Sequence, residues 1–150
     1  MSASRSTCAL QRNALYRLAA IGAVILGLFL TLGAQGHFAA VWPLVTSDGM
    51  GLSRRLLLIL PGVMLAGTAV LNFLLCKPLW RERGYVLNVT LAGNLLTMGY
   101  LLYLMIRGVP NHPIGVFLAL EVSFVLLLVA TRAGLVWPAV AEAPVEVDMQ

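Results

Sequence analysis

The chain has 150 residues, of which 60% are hydrophobic and 11% charged, with a net charge of +4 and a mean hydropathy of +0.91. A soluble domain is about half apolar and about a quarter charged, so this composition leaves too little polar surface to cover a water-facing globule and places the chain in lipid. The basic residues stand at the ends of apolar runs and form no stripe, which argues against nucleic acid as a partner.

Residues 1–14 form a short polar segment, followed by a first apolar run at Leu15–Ala34. Its basic start and the sequence Ala34-Gln35-Gly36 also fit a secretory signal with a cleavage site. The run exceeds the usual 7–15 residues of a signal core, however, and Gly suits the last position less well than Ala. At about 100° per residue, Ala19, Ala23, Gly27 and Ala34 share one arc, with Thr31 at its margin. Helices in lipid associate through close packing of small residues and interhelical hydrogen bonds, so this arc reads as a packing seam.

Residues 35–55, QGHFAAVWPLVTSDGMGLSRR, are expected to form an outer loop. The first half is apolar and aromatic and suits a segment lying against the headgroups, with a lid over a site as the alternative. Ser47-Asp48-Gly49 signals a turn. His37 is a lone imidazole at a span end; the other histidine, His112, lies in a different loop on the same side.

The second span, Leu56–Cys76, gathers Pro61, Gly62, Ala66, Thr68, Ala69, Asn72 and Cys76 on about half of its circumference. Pro61 stands near one end, where a lost hydrogen bond costs least and a mild kink is expected. Cys8 and Cys76 lie in no CxxC or Cys/His cluster, which argues against a disulfide scaffold or a zinc site. The third span, Tyr85–Ile106, places Thr90, Gly93, Asn94 and Thr97 within an arc of about 100°. Such intramembrane amides and hydroxyls act as interhelical glue or line a small polar pocket. Asn88-Val89-Thr90 matches a glycosylation pattern but falls inside this span, out of reach of a transferase.

The fourth span, Ile114–Val136, poses a conflict. Gly115, Ala119, Ser123 and Ala130 fall within an arc of about 80°, while Glu121 lies on the opposite side. If the small face packs inside the bundle, Glu121 points to lipid or another chain. If Glu121 points inward, the small face is open to another chain. Either way a partner is implied. Glu121 has three readings: half of a structural pair or hydrogen-bonded anchor, a coupling site for protons or a cation, or a subunit contact. Arg107 is its expected partner, with Arg54 and Arg55 as further options. Arg132 is about 16 Å away along the axis. Thr97, Tyr100 and Thr31 lie at similar depth as hydrogen-bond donors.

Each run is long enough to cross a hydrocarbon layer of about 30 Å and must be helical there to satisfy its backbone. The expected fold is therefore an all-α integral membrane protein, a four-helix antiparallel bundle with spans 15–34, 56–76, 85–106 and 114–136. Arg5, Arg12, Arg17, Lys77, Arg81, Arg83 and Arg132 on one side outweigh Arg54, Arg55 and Arg107 on the other. This places both termini inside, with an acidic cytoplasmic tail at 137–150. Trp80, Trp137, Tyr16 and Tyr85 fall at the inner interface, Trp42 and Tyr103 toward the outer one.

No HExxH, carboxylate pair, Gly-rich phosphate loop or paired intramembrane histidine is present, so no enzyme activity, metal or cofactor is expected. In outline only, four short spans and one membrane carboxylate resemble the small multidrug-resistance exporters, although in that family the carboxylate lies in the first span, which has none here; a transporter of this size is expected to be a dimer, because four helices enclose little cavity. Two functions are expected from the residues. One is an accessory, assembly or scaffold subunit of a larger membrane complex, acting through helix contacts in the bilayer with other membrane chains. The other is a small proton- or cation-coupled transporter, a homo-oligomer with Glu121 as the coupling carboxylate. Short loops and the inside-positive bias suit a bacterial inner membrane.

Overall fold

A computed structural model describes residues 3–47, 49, 51–107 and 112–134, with side chains described from residue 12 onward and, in the last helix, from residue 114. The described residues form four helices and no strand: α1 (Ala3–Val45), α2 (Leu52–Trp80), α3 (Gly84–Ile106) and α4 (His112–Ala133). Each carries a stretch long and apolar enough to cross a membrane. The acidic tail at 137–150, Trp137, and the side chains of Cys8 and His112 lie outside what is described.

The helices pack in ring order. α1 lies against α2 and α4, α3 lies against the same two, and among the described residues the diagonal pairs make no close backbone approach. Glycines and aromatic rings set the close approaches. A Cβ at Gly27 would sit 3.0 Å from Phe73 of α2, and one at Gly62 would sit 2.7 Å from Phe38 of α1. As the number rises along α1 it falls along α2, so the pair is antiparallel. Phe124 and Phe117 of α4 cover Gly22 and Gly33 of α1 in the same sense, 3.0 and 2.5 Å from where a Cβ would stand. The seam read from the sequence is buried: Ala19, Ala23 and Ala34 are at most 3% exposed.

The first helix differs from expectation. Residues 35–45, expected in a loop, continue α1, and α2 begins at Leu52, before the expected Leu56. Two contacts with α2 hold this extension. His37 donates from Nε2 to the Leu58 carbonyl at 2.8 Å, in the turn that Pro61 interrupts by lacking an N–H, and Phe38 seats on Gly62. Pro43 falls in the last turn of α1, where few hydrogen bonds remain to lose. The connection then closes tightly. Thr46 and Ser47 donate their hydroxyls to the Trp42 and Leu44 carbonyls at 3.0 and 2.7 Å, Gly49 takes φ +95°, and Arg55 holds the Ser47 carbonyl at 3.1 Å. A 43-residue helix is about 65 Å long at 1.5 Å per residue, roughly twice the hydrocarbon thickness.

Candidate functional site: an inward carboxyl, a polar layer and an apolar cleft

The bundle interior is not uniformly apolar. Between α2 and α3, Asn72 and Asn94 face each other as a reciprocal amide pair. Asn72 Nδ2 donates to Asn94 Oδ1 at 3.1 Å and Asn94 Nδ2 returns a bond to Asn72 Oδ1 at 3.0 Å. The second Asn94 donor goes to the Thr90 carbonyl at 2.7 Å, one turn back on its own helix. About a turn farther along, the hydroxyls of Thr68 and Thr97 bond across the same interface. Asn72, Asn94, Thr90 and Thr97 are all fully buried, and each of their side-chain nitrogens and oxygens has at least one hydrogen-bond partner, as the low dielectric of the interior favours. The sequence placed these residues on one arc of each helix; it did not show that the two arcs meet.

Glu121 is different. It is 0% exposed, and neither carboxyl oxygen has a hydrogen-bond partner among the described residues. Its neighbours one turn away on the same face, Phe117 and Phe124, are the two rings seated on α1 glycines, which is why the helix turns this side inward. The expected ion pair with Arg107 does not form. Arg107 is exposed, donates from Nε to the Tyr103 hydroxyl at 3.1 Å and stacks 5.5 Å from that ring centroid. A guanidinium at a helix end keeps its head in water and buries only its stem, because drawing it inward costs more than one carboxylate returns. Arg55 is engaged with Ser47, and Thr31 with its own helix at the Gly27 carbonyl, 2.8 Å away.

With Glu121 inside, the small residues of α4 face out. Gly115, Ala119 and Ser123 are exposed and Ala130 is half-buried; Ser123 donates only to the Ala119 carbonyl of its own helix, at 2.8 Å. Nothing lies within 4 Å of where a Gly115 Cβ would stand.

Toward the α1–α2 loop, all four helices line a cleft of about 720 Å³. Gly33 and His37 of α1, Leu58 and Pro61 of α2, Leu101 of α3 and Phe117 of α4 contribute to it, and His37 is the one polar side chain among the described residues that line it. Glu121 lies one turn from Phe117, about 6 Å farther along the axis. Chemically, an acid there can bind a proton or a cation, and no described residue pairs with it. No group of three His, Cys, Asp or Glu able to hold a metal occurs among the described residues. In the sequence His37 is a lone imidazole at a span end; the cleft arises only where the four helices pack around it.

These features define the class: an all-helical bundle of four helices, each long and apolar enough to cross a membrane, as the helices of an integral membrane protein are. Compared with known protein families, curated proteins and solved structures, the chain matches none.

Proposed function

We propose that this chain is an accessory or assembly subunit that joins a larger membrane complex through α4. The observation that supports this reading is the outward turn of Gly115, Ala119 and Ser123. Small residues let a second helix approach closely, and in lipid such close packing is what drives association. The inside-positive bias favours an inner membrane with both termini cytoplasmic. Purification in mild detergent should bring down a second membrane chain, and Ala119→Leu should release it while the protein stays folded. A chain that purifies alone as a monomer overturns this function.

A second reading has its own support. Glu121 is fully buried without a partner, one turn from the apolar cleft, and an intramembrane ionisable group is by default a functional one. In this reading the protein is a proton- or cation-coupled transporter, a homo-oligomer joined through the same α4 face. Glu121→Gln should then abolish pH-driven flux in proteoliposomes without altering the fold; unchanged flux refutes it.

A further inference from the structure

At the end of the bundle opposite the cleft, α1 and α2 enclose a second hollow of about 380 Å³. Its walls are apolar: Ala20, Ile21 and Val24 on α1, Cys76 and Trp80 on α2. Ile21, Val24 and Trp80 are 47%, 37% and 50% exposed, so the hollow opens sideways, toward the hydrocarbon of the bilayer. Its rim is of another kind. Lys77 and Arg81 line it, both exposed, and the guanidinium of Arg17 stacks over the Trp80 ring, 5.6 Å from its centroid.

Among the described residues, Lys77 and Arg81 have no polar side-chain partner. Glu82, the neighbouring acid, forms no ion pair with them, nor does any other described residue. Three of the carbonyls at the end of α2 do not need them either. The N–H groups of Arg81, Glu82 and Arg83 return to Lys77, Leu79 and Pro78 at 3.2, 2.9 and 3.3 Å, which closes the helix with backbone alone. Arg83 points elsewhere, to the Tyr85 hydroxyl at 3.4 Å.

We propose that this groove binds an anionic phospholipid, with its phosphodiester on Lys77 and Arg81 and one acyl chain along Ile21 and Val24. Charge complementarity selects the headgroup, and the lateral, apolar wall selects a lipid over a soluble anion. A zwitterionic lipid brings its own ammonium to the same rim and loses most of the gain. Basic residues near a membrane surface each contribute about a factor of five in affinity for anionic lipid, so removing both lowers it about thirtyfold.

The test uses the full-length protein, delipidated in a neutral detergent and supplied with equal amounts of phosphatidylglycerol and phosphatidylcholine. Retained lipids are counted by native mass spectrometry. The expected result is retention of one phosphatidylglycerol in preference to phosphatidylcholine. Lys77→Gln with Arg81→Gln should lower it about thirtyfold, and Val24→Trp, which fills the wall and keeps both charges, should lower it too. Arg54→Gln with Arg55→Gln, an equal loss of charge at the other end, should leave it unchanged. Three results overturn the proposal: equal retention of both lipids, an equal loss in the Arg54/Arg55 variant, or displacement of the lipid by millimolar inorganic phosphate.

Discussion

Replacing Glu121 by methionine removes a carboxyl whose two oxygens are buried and unpartnered and leaves an unbranched side chain of similar reach. A buried polar group without a partner costs about 1–3 kcal/mol, and Met adapts its shape to an irregular gap. Little cavity or strain energy is therefore set against the gain, and Glu121→Met should stabilise the bundle by about 1–3 kcal/mol. Glu121→Gln keeps a polar group in the same unpaired place and should change stability by less than about 1 kcal/mol. Both values are measurable by reversible unfolding in mixed micelles or by steric trapping in bicelles. Loss of more than about 1 kcal/mol on Glu121→Met would refute the reasoning. It would mean that the carboxyl makes a structural bond in the membrane, the anchor reading of this residue. A gain would mean that Glu121 persists at a cost to stability, as residues kept for function do.

Two further predictions concern packing. Gly33→Ala places a methyl 2.5 Å from the Phe117 ring and should destabilise the α1–α4 contact by about 1–3 kcal/mol. Gly99→Ala meets nothing within 4 Å and should be neutral or stabilising by up to about 1 kcal/mol; the same unfolding assay compares them, and equal effects would show that this contact is not close. For the amide pair, a double-mutant cycle on Asn72→Ala and Asn94→Ala should give a coupling of about 0.6–1.7 kcal/mol, the range for interhelical bonds in lipid. A coupling near zero would show that the two amides do not bond across the α2–α3 interface.

Much of this architecture is legible in the sequence, because runs apolar enough for lipid have few folds open to them. Four apolar runs must be helices, since only a helix satisfies its own backbone in hydrocarbon. Ala19, Ala23, Gly27 and Ala34 are legible as a seam because small residues on one arc are what a close helix contact needs. Composition also removed the soluble classes, and spacing gave no catalytic constellation. The extension of α1 through residue 45 was hidden, since His37 and Phe38 gain their value only against Leu58 and Gly62 of another helix. Arg107 looked suited to Glu121 by proximity along the chain, yet its own helix offered Tyr103 and its head could stay in water.

What only the tertiary structure decided is which side of each helix faces which neighbour. Helical periodicity shows that Glu121 and the Gly115, Ala119, Ser123 face are opposed, but rotation about the helix axis is set by contacts with other helices. In this bundle Phe117 and Phe124 settle it by seating on Gly33 and Gly22; the carboxyl is carried inward with them, and the small residues are left on the outside. The same holds for Asn72 with Asn94 and Thr68 with Thr97: a sequence lists the donors, and only the packing of α2 against α3 pairs them.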